Sequence, residues 1–73
     1  MDRQPTCKTY STGHKAWYLD GNLHRTDGPA VEWADGDKEW WLDDKLVPWQ
    51  MVYHRATSDE DRLSILIAAL TKP

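Results

Sequence analysis

From His14 to Asp20, and again from Asp37 to Asp43, large apolar side chains crowd into short runs bounded by glycine or acidic residues. Runs this short, rich in Trp, Tyr, Val and Leu, predict strands rather than helices. The expected strands lie near 7–12, 14–20, 22–25, 29–34, 37–43 and 45–47. Thr12-Gly13 and Asp35-Gly36 read as hairpin turns, with glycine supplying positive φ. Asp20-Gly21 and Asp27-Gly28-Pro29 give two further turn signals. Period-two alternation puts Trp17, Leu19, Trp40 and Leu42 on one face and Tyr18 and Trp41 on the other. Both faces then carry large apolar groups, so each needs cover.

The pattern changes period near the C-terminus. Thr57-Ser58-Asp59-Glu60 reads as a capping box with Thr57 as N-cap and Glu60 at N3, opening a helix over 58–71, with Pro73 as the last residue beyond it. Leu63, Leu66, Ile67 and Leu70 form its expected apolar stripe, with Ile65 off it. Pro48, at the first helical position, starts a shorter helix, WQMVYHR.

Advancing the chain by 23 residues lays the segment from Tyr10 on the segment from Trp33. Gly13 meets Gly36, Lys15 meets Lys38, Trp17 meets Trp40, Leu19 meets Leu42, Asp20 meets Asp43 and Leu23 meets Leu46. Tyr10 with Trp33, and Tyr18 with Trp41, keep aromatic character. A repeat of this length marks a supersecondary unit that cannot bury its face alone. The expected fold is α+β. An antiparallel β-meander of two repeated hairpin units occupies 7–47, and a helical segment, 48–73, packs on one sheet face. Together they make a single domain.

The repeat phrase resembles the W-x-x-N-G-x-x-H-R-x-D-G-P-A repeats of small phage and bacterial proteins, related in style to MORN-type β-hairpin repeats. Trp17, Gly21, His24, Arg25, Asp27, Gly28, Pro29 and Ala30 carry the resemblance, followed by Gly36 and Trp40. It covers roughly residues 14–46. Asp20 stands where these repeats have Asn. In the second copy Asp43-Asp44 replaces Asn-Gly, and Val47-Pro48 replaces His-Arg, so the array is short and terminated. The resemblance implies a β-hairpin module, often phage-borne, with no known catalysis. Small acidic phage proteins resemble inhibitors of nucleic-acid-handling proteins, anti-CRISPR proteins among them.

Seventy-three residues make one domain at most. Cys7 is the one cysteine, so no internal disulfide forms, and a reducing cytoplasm is the expected compartment. No apolar run reaches membrane-spanning length, and the N-terminal residues lack the apolar core of a signal peptide. The net charge of -3 is unevenly placed. Residues 20–44 hold Asp20, Asp27, Glu32, Asp35, Asp37, Glu39, Asp43 and Asp44 against Arg25 and Lys38. An acidic block of this kind repels phosphate, so direct nucleic-acid binding is not expected.

His24, Arg25 and Asp27 suggest acid–base chemistry, but no nucleophile accompanies them. The alternative is structural: Asp27 caps the DGPA turn, Arg25 ties it to the next strand, His24 packs beside a tryptophan, and Gly28-Pro29 forms the turn. No histidine pair has ligand spacing, and no phosphate-binding glycine loop is present, so neither metal nor cofactor is expected. The chain reads as non-enzymatic. Asp35, Asp37, Glu39, Asp43 and Asp44 either form a solvated sheet edge or, with Trp41, Tyr18 and Asp20, an acidic surface for a partner. That partner would be a host protein with a basic nucleic-acid-binding surface, blocked by a phage-encoded inhibitor. The alternative is a module that self-associates through its second aromatic face. Neither reading involves a membrane.

Overall fold

A computed structural model describes residues 4–71. Its elements are β1 (Thr6–Thr9), β2 (Lys15–Leu19), β3 (Asn22–Leu23), β4 (Val31–Glu32), β5 (Lys38–Leu42), β6 (Lys45–Val47), α1 (Trp49–Arg55) and α2 (Asp59–Leu70). The fold is α+β: six antiparallel strands followed by two helices. Pro73 lies outside the described residues.

The strands pair in two equivalent sets. Lys8 opposes Ala16 and Thr9 opposes Lys15; advanced by 23, these become Val31 opposing Glu39 and Glu32 opposing Lys38, which also pair. Tyr18–Leu23 and Leu19–Asn22 become Trp41–Leu46 and Leu42–Lys45 in the same way. The turns repeat with them. Tyr10 N–H donates to His14 O at 2.9 Å and Gly13 N–H to Tyr10 O at 2.9 Å. Trp33 N–H donates to Asp37 O at 2.8 Å and Gly36 N–H to Trp33 O at 3.0 Å. Gly13 (φ 93) and Gly36 (φ 96) supply the left-handed residue that a three-residue hairpin loop requires.

The simple meander needs one correction. Strand order is β1-β2-β4-β5-β6, with β3 paired to β2 off this path. One edge of β2 is therefore shared. Lys15 and Ala16 pair with β4, and Tyr18 and Leu19 pair with β3. Trp17 sits at the fork, donating its N–H to Ala30 O at 2.8 Å and accepting His24 N–H at 3.0 Å. The strands expected over 22–25 and 29–34 are cut to two residues each, because the backbone between them forms the DGPA loop instead of extending the ladder.

Register fixes the faces. Trp17, Trp40, Leu42 and Val47 share one face; Ala16, Tyr18, Val31, Glu39 and Trp41 share the other. The helices lie on the first, where Trp40, Leu42, Val52, Ala56 and Ile65 form the core with Trp49 and Tyr53 beside them. Pro48 is the N-cap of α1 rather than its first residue, and its missing N–H costs the helix nothing there.

In α2 the cap is Ser58, not Thr57: Asp61 N–H donates to Ser58 Oγ at 3.1 Å, which puts Asp61 rather than Glu60 at N3. Asp59, Glu60 and Asp61 complement the positive end of the helix dipole. The expected stripe is also reversed. Ile65 is fully buried at 0% exposure, whereas Leu63, Ile67 and Leu70 are 59%, 59% and 71% exposed. The sheet-facing positions are Ile65, Ala68 and Ala69. Ile65 and the small Ala68 and Ala69 turn inward against the core, Leu63, Ile67 and Leu70 turn outward, and Leu66, the remaining member of the expected stripe, is half-buried. Arg62 Nη2 ties the helix to the preceding turn by donating to Ala56 O at 2.9 Å.

Candidate functional site

The sheet face away from the helices carries a line of aromatic side chains. The Tyr10 and His14 rings stack with centroids 4.3 Å apart, as cross-strand neighbours closing the first hairpin loop. His14 meets Trp33 at 5.0 Å, tilted by 35°. Tyr10 and Tyr18 share a hydrogen bond between their hydroxyls at 2.9 Å. That bond holds the Tyr18 phenol above its ordinary pKa of 10.0, with partial burial and the nearby Asp44 charge adding to the effect. Beneath these rings Ala16 and Val31 are buried, although both lie opposite the helices.

Glu39 organises the second half of this face. Its Oε1 accepts Trp41 Nε1–H at 2.9 Å and its Oε2 accepts Trp33 Nε1–H at 2.9 Å. One carboxylate thus fixes two indoles, and Trp33 remains 41% exposed. Leu46, opposite Trp41, extends the apolar surface.

The expected acidic residues divide among three places. Glu39 is among the aromatics. Asp35 and Asp37 belong to the second hairpin loop, where Asp35 Oδ1 accepts Asp37 N–H at 3.0 Å. Asp20, Asp43 and Asp44 stand at the opposite end of the sheet, in the β2–β3 and β5–β6 turns. Asp20 (φ 54) with Gly21 (φ 81), and Asp43 (φ 50) with Asp44 (φ 68), all take left-handed backbone, as two-residue hairpin turns require.

The second of these turns is also the joint between the repeats. Asp44 Oδ1 accepts Leu23 N–H at 3.1 Å, and Asp44 N–H donates to Leu23 O at 2.9 Å. Asp43 N–H donates to His24 Nδ1 at 3.0 Å. The Asp43 carboxylate also approaches Nδ1, at 3.3 Å. The amide bond defines the arrangement, because an Nδ1 that accepts from an N–H carries no proton to share with a carboxylate.

The His24–Pro29 segment is a structural knot. Arg25 Nε donates to Asp27 Oδ1 at 2.7 Å, and its Nη1 donates to Pro29 O at 3.1 Å and Glu32 Oε2 at 3.2 Å. Its guanidinium carbon lies 3.9 Å from the centre of the Trp17 ring. Arg25 is thus stacked on a tryptophan, and the His24 ring accepts the Asp43 amide. Gly28 has φ outside the left-handed region and serves a different purpose from the turn glycines. A Cβ there would stand 2.8 Å from Arg25 Cζ, so glycine makes room for the guanidinium.

Cys7 is exposed on β1, at the edge of the sheet. Among the described residues, no three His, Cys, Asp or Glu side chains converge as metal ligands, and no helix is long and apolar enough to cross a membrane. Sequence reasoning missed Tyr10, His14 and Trp33 as members of the exposed face. The aromatic match of Tyr10 with Trp33 was the available signal. Comparison with protein-family models, curated proteins and solved structures finds no match to this chain.

Proposed function

We propose that this chain is a non-enzymatic binding protein that uses the helix-free sheet face, centred on Trp41 and Glu39, to occupy a basic surface of another protein. The observation that carries the reading is the pair of indoles held by one carboxylate on a face to which neither helix contributes cover. Fixed aromatic side chains at a surface lose little entropy on binding and act as anchors. Carboxylates at both ends of the sheet attract a basic partner and speed its approach. A partner that handles nucleic acid has such a basic surface, and an acidic protein seated there excludes the phosphate backbone. The resemblance of the repeat to phage-borne modules makes an anti-CRISPR-type inhibitor, acting in the bacterial cytoplasm, the specific form of the proposal.

The test is affinity capture from bacterial lysate at low and high salt, with mass spectrometry. The reading requires a basic nucleoprotein that is retained at low salt and released at high salt. Retention of nothing at either salt concentration refutes it.

A second reading is self-association. One observation favours it: the helix-free aromatic face leaves Trp33 and Leu46, which flank Trp41, exposed to solvent. Sedimentation equilibrium over a wide concentration range separates the two readings. A dimer disrupted by Trp41→Lys supports the second, and a monomer throughout eliminates it.

A further inference from the structure

The two hairpin loops of the repeat lie side by side, close enough that a Cβ on Gly13 would stand 3.2 Å from Ala34 Cβ. Between them runs an open groove of about 530 Å³ lined by Thr12, His14, Trp33, Ala34, Asp35 and Asp37. We propose that this groove seats an arginine side chain of the basic partner, stacked on the Trp33 indole and paired with Asp35 and Asp37. The inference rests on the binding reading above and specifies its anchor.

The molecule contains the precedent. Arg25 is held over the Trp17 indole at 3.9 Å with two carboxylates, Asp27 and Glu32, on its nitrogens at 2.7 and 3.2 Å. The groove presents the same set: one indole face and two carboxylates. Here no cation of the described residues pairs with the set. Among the described residues Asp35 and Asp37 form no ion pair, whereas Asp27 and Glu32 pair with Arg25 and Asp59 pairs with Arg62.

The parts are held in place. Trp33 Nε1–H is fixed by Glu39, and the Trp33 ring is braced by His14, itself stacked on Tyr10. Asp37 is the cross-strand neighbour of Trp33, and the Asp37 amide orients Asp35. The indole is the best aromatic face for a cation. The planar guanidinium stacks on it and still directs N–H groups at two carboxylates, which an ammonium on a flexible stem does less well. Arginine is therefore favoured over lysine, and a phosphate-bearing ligand is repelled.

The test is a two-dimensional NMR titration of the whole ¹⁵N-labelled chain with a short Gly/Ser peptide carrying two arginines. The same peptide with lysine, and then with citrulline, serves for comparison. The proposal requires saturable shifts at the Trp33 indole N–H and at the His14 and Asp35–Asp37 amides. It also requires affinity for the arginine peptide about fivefold above that for lysine, and no response to citrulline. Asp37→Asn and Trp33→Leu each weaken binding about fivefold or more, with the rest of the spectrum unchanged. Equal binding of the lysine peptide overturns the proposal. So do shifts spread evenly over Asp20, Asp43, Asp44 and Asp59, or no shift at all. Partner capture that is lost with Trp41→Ala but kept with Asp37→Asn removes the groove and leaves the face. Capture of nothing by the wild-type chain removes the face, and the peptide titration still reports on the groove.

Discussion

Glu39 and Trp41 project from the same face of β5, and Trp41 Nε1–H donates to Glu39 Oε1 at 2.9 Å. The second oxygen of the same carboxylate holds Trp33. Glu39 is thus an organiser of the aromatic face rather than an acid left free for a partner. Glu39→Ala releases both indoles at once. In an NMR spectrum both indole N–H signals, from Trp33 and Trp41, move upfield, and fold stability falls by about 1–2 kcal/mol. Movement of one signal alone shows that the carboxylate does not bridge.

Arg25 and Gly28 are coupled by contact. Gly28→Ala drives a methyl group into the guanidinium and costs about 1–3 kcal/mol in the wild-type background. In an Arg25→Ala background the same change costs far less, because the obstruction is gone. Denaturant unfolding of the four proteins in a double-mutant cycle checks this. Additive effects contradict it.

Asp44 occupies left-handed backbone at φ 68 and accepts Leu23 N–H across the repeat boundary. Asp44→Asn keeps both the tolerance for positive φ and the acceptor, so stability stays within about 0.5 kcal/mol. Asp44→Ala loses both and costs about 1–2 kcal/mol. Charge at this turn is therefore best tested with asparagine: lysine would disturb the joint between the units as well as the surface charge.

Much of the fold was legible in the sequence, for identifiable reasons. Gly13 and Gly36, Asp20-Gly21 and Asp43-Asp44 marked four turns whose φ values the ladder demands. Alternation around the tryptophans between them assigned the faces, which the pairing of the strands reproduces. The sharing of one β2 edge by β3 and β4 was not legible, because it depends on the DGPA loop folding back around Arg25. Nor was the inward face of α2. Residues 65–70 are apolar on nearly every side, so periodicity could not choose between Ile65 and the leucine stripe. Thr57 and Ser58 both suit an N-cap, and only the chain path from Ala56 selects Ser58. At the candidate site, Trp41 and Tyr18 were placed on one face from alternation alone. The roles of Tyr10, His14 and Trp33 depend on two hairpin loops meeting, which no local pattern encodes.

The inversion of the helix faces has a direct stability consequence. Ile65→Ala empties the centre of the core and costs about 2–5 kcal/mol. Leu63→Ala, on the exposed stripe, changes stability by no more than about 0.5 kcal/mol. Equal costs measured by thermal or urea unfolding contradict the assignment of faces.

Tyr18 gives the face a pH signature. Its raised pKa comes first from the Tyr10 hydroxyl, then from burial and neighbouring charge. A group whose folded pKa is raised contributes stability that is complete below the unfolded value and lost as pH rises through the folded value. That window begins near pH 10, the ordinary value for tyrosine, and extends above it. Titrating tyrosinate absorbance shows one phenol ionising late, and Tyr10→Phe brings it back toward the ordinary value. An unchanged titration in Tyr10→Phe shows that the hydroxyl pair is not the cause.

The central claim is that the helix-free aromatic face, and not the exposed stripe of α2, meets the partner. Low-salt affinity capture with wild type, Trp41→Ala and Leu63→Ser, each confirmed folded, tests it most directly. The account predicts that Trp41→Ala loses the captured protein while Leu63→Ser retains it at the wild-type level. Retention by Trp41→Ala together with loss by Leu63→Ser would contradict it and move the binding surface to the helix.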